Sequence, residues 1–153
     1  SAPADGRTGS APARAGKFAP VRNAAGEELF NFPRAVHFPD ADTLVAVAQR
    51  GAVVAFDIAG PLSDDPATAP RAGRPLFEVG VPVFQARWTD DGKWLAVVAH
   101  GRSVALRSAD GKRTVTIEVP AGSYPRSVAI HPKGTKFAVV FARVRPTGEA
   151  AEA

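Results

Sequence analysis

The sequence predicts an all-β domain built from successive antiparallel meanders, and three observations predict it. Strand-like runs follow one another with turn signals roughly every 8–12 residues. No stretch carries a convincing 3.6-residue apolar period, so helix is expected to be nearly absent. The chain also repeats itself: with Phe38 over Trp88 over Ile130, the segments "AVHFPDADTLVAVA", "ARWTDDGKWLAVVA" and "VAIHPKGTKFAVVF" align without gaps, at offsets of 50 and 42 residues.

The elements follow in order. Residues 1–24, beginning "SAPADGRTGSAPARAGKFAP", are rich in Ala, Pro, Gly and Arg with one large apolar residue, Phe18. Such a stretch buries too little to offset its ordering entropy and is expected to be a flexible leader. "GEELFNF" then looks like the outer strand of a preceding unit. Each of the three copies opens on an alternating strand (Val36 and Phe38; Ala86 and Trp88; Val128 and Ile130), passes through a polar turn, and continues as a nearly unbroken apolar run. Those runs, residues 44–48, 94–99 and 137–141, are expected to be central strands buried on both sides. After the first two copies comes a third strand ("AVVAFDI", "SVALRS") and then a fourth ("RPLFEV", "TVTIEV"). The repeat region spans residues 25–143, and the closing "RPTGEAAEA", residues 144–153, reads as a flexible tail.

Composition bounds the function classes. At 153 residues the chain is long enough for one domain with a real core, and a charged share of 22% is ordinary for a folded protein. The absence of cysteine removes disulfides, thiolate metal sites and thiol nucleophiles, and leaves the compartment open. No run approaches the roughly 18–20 apolar residues of a membrane span and no signal-peptide core opens the chain, so a soluble chain with no membrane partner is expected. There is no methionine, even at position 1, which leads us to expect a processed form or a fragment. The formal charge of +4 is uneven: residues 1–80 hold eight Lys/Arg against nine Asp/Glu, residues 81–153 eleven against six. A basic half suits acidic partners or simply a solvated surface.

A four-stranded meander of about 40–50 residues is the unit of a β-propeller. The turns Thr89-Asp90-Asp91-Gly92-Lys93 and His131-Pro132-Lys133-Gly134-Thr135 are similar to the "S-P-D-G-K" turn of WD-repeat and YVTN-type blades, and "VTIEVPAGSYPRSVAIHPKGTKFAVV", residues 115–140, is similar to the YVTN blade connector. The resemblance covers roughly residues 27–142. It departs from the WD pattern in having Phe56-Asp57 and Leu106-Arg107 where Trp-Asp would close the third strand, and in lacking Gly-His before the first. What it implies is a partial β-propeller of about two and a half blades. Too few blades to close a ring implies a fragment or a subunit completed by another chain covering its open sheet edges. A small open β-sheet stack or sandwich is the alternative fold.

No residue pattern points to catalysis. His37, His100 and His131 show no metal-ligand spacing, so no metal or cofactor is expected. Asp64-Asp65 and Asp90-Asp91 are adjacent acids that splay apart, and Asp91-Gly92 is a hairpin-turn signature. No Walker loop, Gly-x-Gly-x-x-Gly, Gly-x-Ser-x-Gly or His-Glu-x-x-His occurs, and the chain is expected not to be an enzyme by itself.

In a propeller, the loops joining strands two and three and those joining blades gather at one end. That assignment places Arg34, Arg50, His100, Arg102, Tyr124 and Arg126 there, with no acidic loop residue. The opposite end mixes Asp40, Asp42, Asp64, Asp65, Asp90, Asp91 and Asp110 with Lys93, Lys112, Arg113 and Lys133. The expected function is therefore a protein-interaction scaffold whose basic end meets an acidic or phosphorylated protein surface. Nucleic acid is a weaker partner, since only Tyr124 stands near the basic loops. The alternative is a piece of an enzyme or ligand-binding propeller whose site lies on other blades.

Overall fold

A computed structural model of the chain describes residues 18–22, 25–29, 32–60, 65, 69–100, 103–131 and 136–143. The tail, most of the leader, Asp64, Arg102 and four of the five residues of the turn at 131–135 lie outside the described residues. The described residues contain ten strands and no helix. Strands β1 (Pro33–His37), β2 (Thr43–Ala48), β3 (Ala52–Asp57) and β4 (Gly73–Glu78) form a first sheet. Strands β5 (Val83–Trp88), β6 (Trp94–Ala99), β7 (Val104–Ser108) and β8 (Thr114–Ile117) form a second, and β9 (Ser123–Ile130) and β10 (Phe137–Arg143) a third. Each is an antiparallel meander in sequence order and none closes on itself. The fold is all-β, arranged as successive blades.

The first strands keep the offsets of 50 and 42. Each carries a β-bulge at the same place in the repeat, with Arg34, Phe84 and Arg126 as the extra residue. The gapless alignment needs one correction. Pro33 opposes Ala48, whereas Val83, 50 residues on, opposes Ala99, 51 residues on. The β5–β6 turn therefore holds one residue more than the β1–β2 turn, and β2 and β3 map onto β6 and β7 at an offset of 51.

That single residue decides which face of each sheet is which, because side chains alternate with a period of two. Under the corrected offset Val45, Val47, Val53 and Ala55 are equivalent to Ala96, Val98, Val104 and Leu106. The first four pack against Ala86, Leu95 and Val97 of the second sheet. The second four pack against Val128, Ile130 and Val139 of the third. Sheets thus stack front to back, front of the first on back of the second and front of the second on back of the third. In a two-layer sandwich like faces would meet instead. Leu95 and Phe56 are fully buried, and each contributes about 1.5–3 kcal/mol through removal of apolar surface from water.

Two side chains stitch the joints. The Arg107 guanidinium donates to the Val79 carbonyl in the connector between the first two sheets, at 2.7 Å. The Gln85 side-chain oxygen, on the front of the second sheet, accepts from the Val128 N–H of the third at 3.0 Å.

The back of the first sheet (Ala46, Ala48, Ala52, Val54, Phe56) has no blade against it. It is covered by the N-terminal segment, with Val21 buried and Leu29 partly so. Ala19 N–H donates to the Arg71 carbonyl, Arg22 bridges Glu28, and Phe18 meets Phe56 edge to face at 4.7 Å. Packing therefore extends N-terminally to Phe18. "GEELFNF" supplies half of this small bridge pair and no sheet strand. The expectation of central strands buried on both sides holds for β2 and β6 and fails for β10, whose Ala138 and Val140 are exposed on the front of the third sheet.

Candidate functional site at the bulged end

The two ends of the stack differ in chemistry because they differ in turn type. At one end lie the β5–β6 and β7–β8 turns, which are copies of one another. In residues 89–94, the Thr89 hydroxyl donates to the Asp91 carboxylate at 2.6 Å, the same carboxylate accepts the Lys93 N–H at 3.1 Å, and the Trp94 N–H donates to the Thr89 hydroxyl oxygen at 3.1 Å. In residues 108–113 the same set joins Ser108, Asp110, Lys112 and Arg113. Gly92 and Gly111 take the positive φ that each turn requires. These hydrogen bonds stabilise the ionised carboxylates, above all the Thr89 hydroxyl for Asp91 and the Ser108 hydroxyl for Asp110, and hold both below the usual aspartate range. Asp91 is thus a turn residue, as its Asp-Gly signature suggests. The Ser108 copy was equally legible in "SADGKR" and was missed because only turns between first and second strands were compared.

The other end carries the bulges. A β-bulge turns its extra side chain out of the alternating order and twists the strand locally. Phe84 and Arg126, extra residues of neighbouring first strands, line one cavity of about 160 Å³ together with His100 and Tyr124, over a buried floor of Ala99 and Pro125. The Phe84 and His100 rings meet edge to face at 5.4 Å. The Arg126 guanidinium lies 5.5 Å from the centre of the Tyr124 ring, a cation–π geometry that orients the charge without neutralising it. His100 is anchored by its backbone N–H, which donates to the Pro82 carbonyl of the connector at 3.0 Å.

Of the six residues picked out by sequence, the structure brings together His100, Tyr124 and Arg126. Arg34 occupies the equivalent bulge on β1 and is exposed. Arg50 leaves the group, since its guanidinium reaches the Glu28 carbonyl of the N-terminal segment at 3.4 Å. Arg102 lies outside the described residues. Phe84 was missed because selection went by charge, although the repeat places it in register with Arg34 and Arg126.

This end is not free of acid. Glu78 closes β4, and Glu118 follows β8. Both belong to outermost strands, about 14 Å across the sheet from the first strands at about 4.8 Å per strand. Among the described residues the one ion pair joins Lys93 to Asp91 at 3.3 Å, at the opposite end. No group of three metal-ligating side chains converges among the described residues, and none of their helices is long and apolar enough to cross a membrane. No protein-family model matches the chain, and no curated protein is significantly similar to it.

Proposed function

We propose that the chain is a protein-interaction scaffold of propeller-like blades, working as part of a larger assembly, and that its bulged end receives an acidic or phosphorylated segment of a partner protein. The observation that carries this reading is the cavity at which His100, Tyr124 and Arg126 meet. Arg126 is exposed, oriented by Tyr124, and has no carboxylate partner among the described residues. Such a cation binds an anionic side chain with little ordering cost of its own. Size supports a side chain over a free small molecule: about 160 Å³ lies below the roughly 300 Å³ at which small-molecule sites begin. Phe84 adds the apolar contact that a neighbouring residue of the same segment would use.

The role is a non-catalytic one. An array of exposed bases with one aromatic also suits nucleic acid, but a single ring beside Arg126 gives no stacking track for successive bases.

The test is fluorescence anisotropy with labelled peptides carrying phosphoserine, glutamate or serine in one common sequence. The anionic peptides bind more tightly than the serine peptide, and Arg126→Glu weakens them by about tenfold or more, the value of one charge-assisted contact. Equal affinity for all three peptides, or no effect of Arg126→Glu, overturns the proposal.

A further inference from the structure

A second cavity, of about 350 Å³, opens at the opposite end of the stack, between the front of the first sheet and the back of the second. His37, Val45, Ala55 and Arg74 are direct cross-strand neighbours in one row across all four strands of the first sheet, and all four line it. Leu76 extends the apolar floor, and Asp40 stands at the rim. The facing wall is Trp88 with Gly92 and Ala109 of the two turns. His37 stacks on Trp88 at 5.6 Å between ring centres.

Three properties set this cavity apart from the corresponding one between the second and third sheets, of about 320 Å³. The Trp88 indole N–H is buried and has no hydrogen-bond partner among the described residues. The position equivalent to Trp88 in the next joint is Ile130, which has no donor. A buried N–H without an acceptor costs about 1–3 kcal/mol, so it is a place where an acceptor is needed. Arg74 has no carboxylate partner among the described residues, whereas Arg113, beside the second cavity, is packed over the Trp94 ring at 5.4 Å. The floor between Arg74 and the indole is apolar and made of small side chains, Val45 and Ala55, which leaves room for a ligand body.

We propose that this cavity is a binding site for a small carboxylate with an apolar body and a second acceptor group, the chemistry of an N-acylated apolar amino acid. The carboxylate pairs with Arg74, whose planar fork matches it. The body covers Val45, Ala55 and Leu76, and the acyl carbonyl accepts from the Trp88 N–H. A free acylated amino acid and the C-terminal residue of a peptide share this chemistry.

The probes are N-acetyl-L-leucine, N-acetyl-L-leucinamide, and a pentapeptide ending in leucine with a free carboxylate. The readout is the indole N–H resonance of Trp88, assigned against Trp94→Phe. N-acetyl-L-leucine shifts that resonance in a saturable way, and the carboxamide binds about tenfold more weakly or worse. Arg74→Gln removes that discrimination, while Arg113→Gln and Arg126→Glu leave it intact. A stronger shift with the pentapeptide identifies the source as a peptide terminus, and a stronger shift with the free compound identifies it as a metabolite. No saturable shift of the Trp88 resonance, or equal binding of acid and carboxamide, overturns the proposal. The Arg126→Glu arm keeps it separate from the anionic-segment reading of the bulged end, which stands or falls on its own peptides.

Discussion

Asp91 and Asp110 show how one residue type can look like chemistry and act as geometry. Each carboxylate is held by a hydroxyl and a backbone N–H two residues on, and each pKa is depressed for that reason. A depressed carboxyl contributes stability that is fully present above the unfolded value, about 3.9, and is lost as pH falls through the lower folded value. Both carboxyl groups should therefore titrate below 3.9 by NMR, and Asp91→Asn should flatten the acid limb of the stability curve without changing the neutral one by the same amount. A folded-state pKa at or above 3.9 for either residue removes the turn from the account of acid stability. The bulge residues make the complementary point. Arg126 was visible as a charge, but Phe84 became visible only once three first strands were seen to share one irregularity, which an apolar residue does not advertise.

At the scale of the strand, equivalence between sheets converts burial into a controlled comparison. Val47, Val98 and Val140 hold the same position in β2, β6 and β10; the first two are 0% exposed and the third 60%. Val98→Asp puts an unpaired charge into the joint between the second and third sheets and should abolish cooperative unfolding, since a buried charge without a partner costs several kcal/mol. Val140→Asp should change the urea midpoint by no more than about 0.5 kcal/mol of stability, as for other surface substitutions. Equal damage from both would mean that the front of β10 is covered. The meander order, the central strands and the turns were all legible in the sequence, because alternation and Asp-Gly punctuation act locally. Which face pairs with which neighbour was not. The runs "LVAVA", "LAVVA" and "FAVVF" are apolar on both faces, so sliding one against another by a residue costs nothing in pattern while it exchanges front for back. The packing of Val21 was illegible for a related reason: two apolar residues in a Pro- and Gly-rich stretch carry no period, and only the uncovered back of the first sheet gives them a place.

For the whole molecule, the joints matter more than the sheets. The front of the third sheet presents Ser127, Ala129, Ala138 and Val140, an apolar strip at positions that the preceding sheets bury. With nothing against it, this strip should make the chain self-associate: apparent mass in sedimentation should rise with concentration, and Val140→Lys should lower it at an unchanged unfolding midpoint. A wild-type chain that stays monomeric across the same range contradicts this. Front-to-back contact also gives the stack a polarity that no single sheet has. However many sheets are joined, one unmatched back and one unmatched front remain, and here the N-terminal segment with Val21 closes the back. Growth is therefore one-ended. A newcomer must arrive at the third sheet, and must arrive back first, so a fragment that mimics a back face acts as a chain terminator for whatever this molecule assembles into.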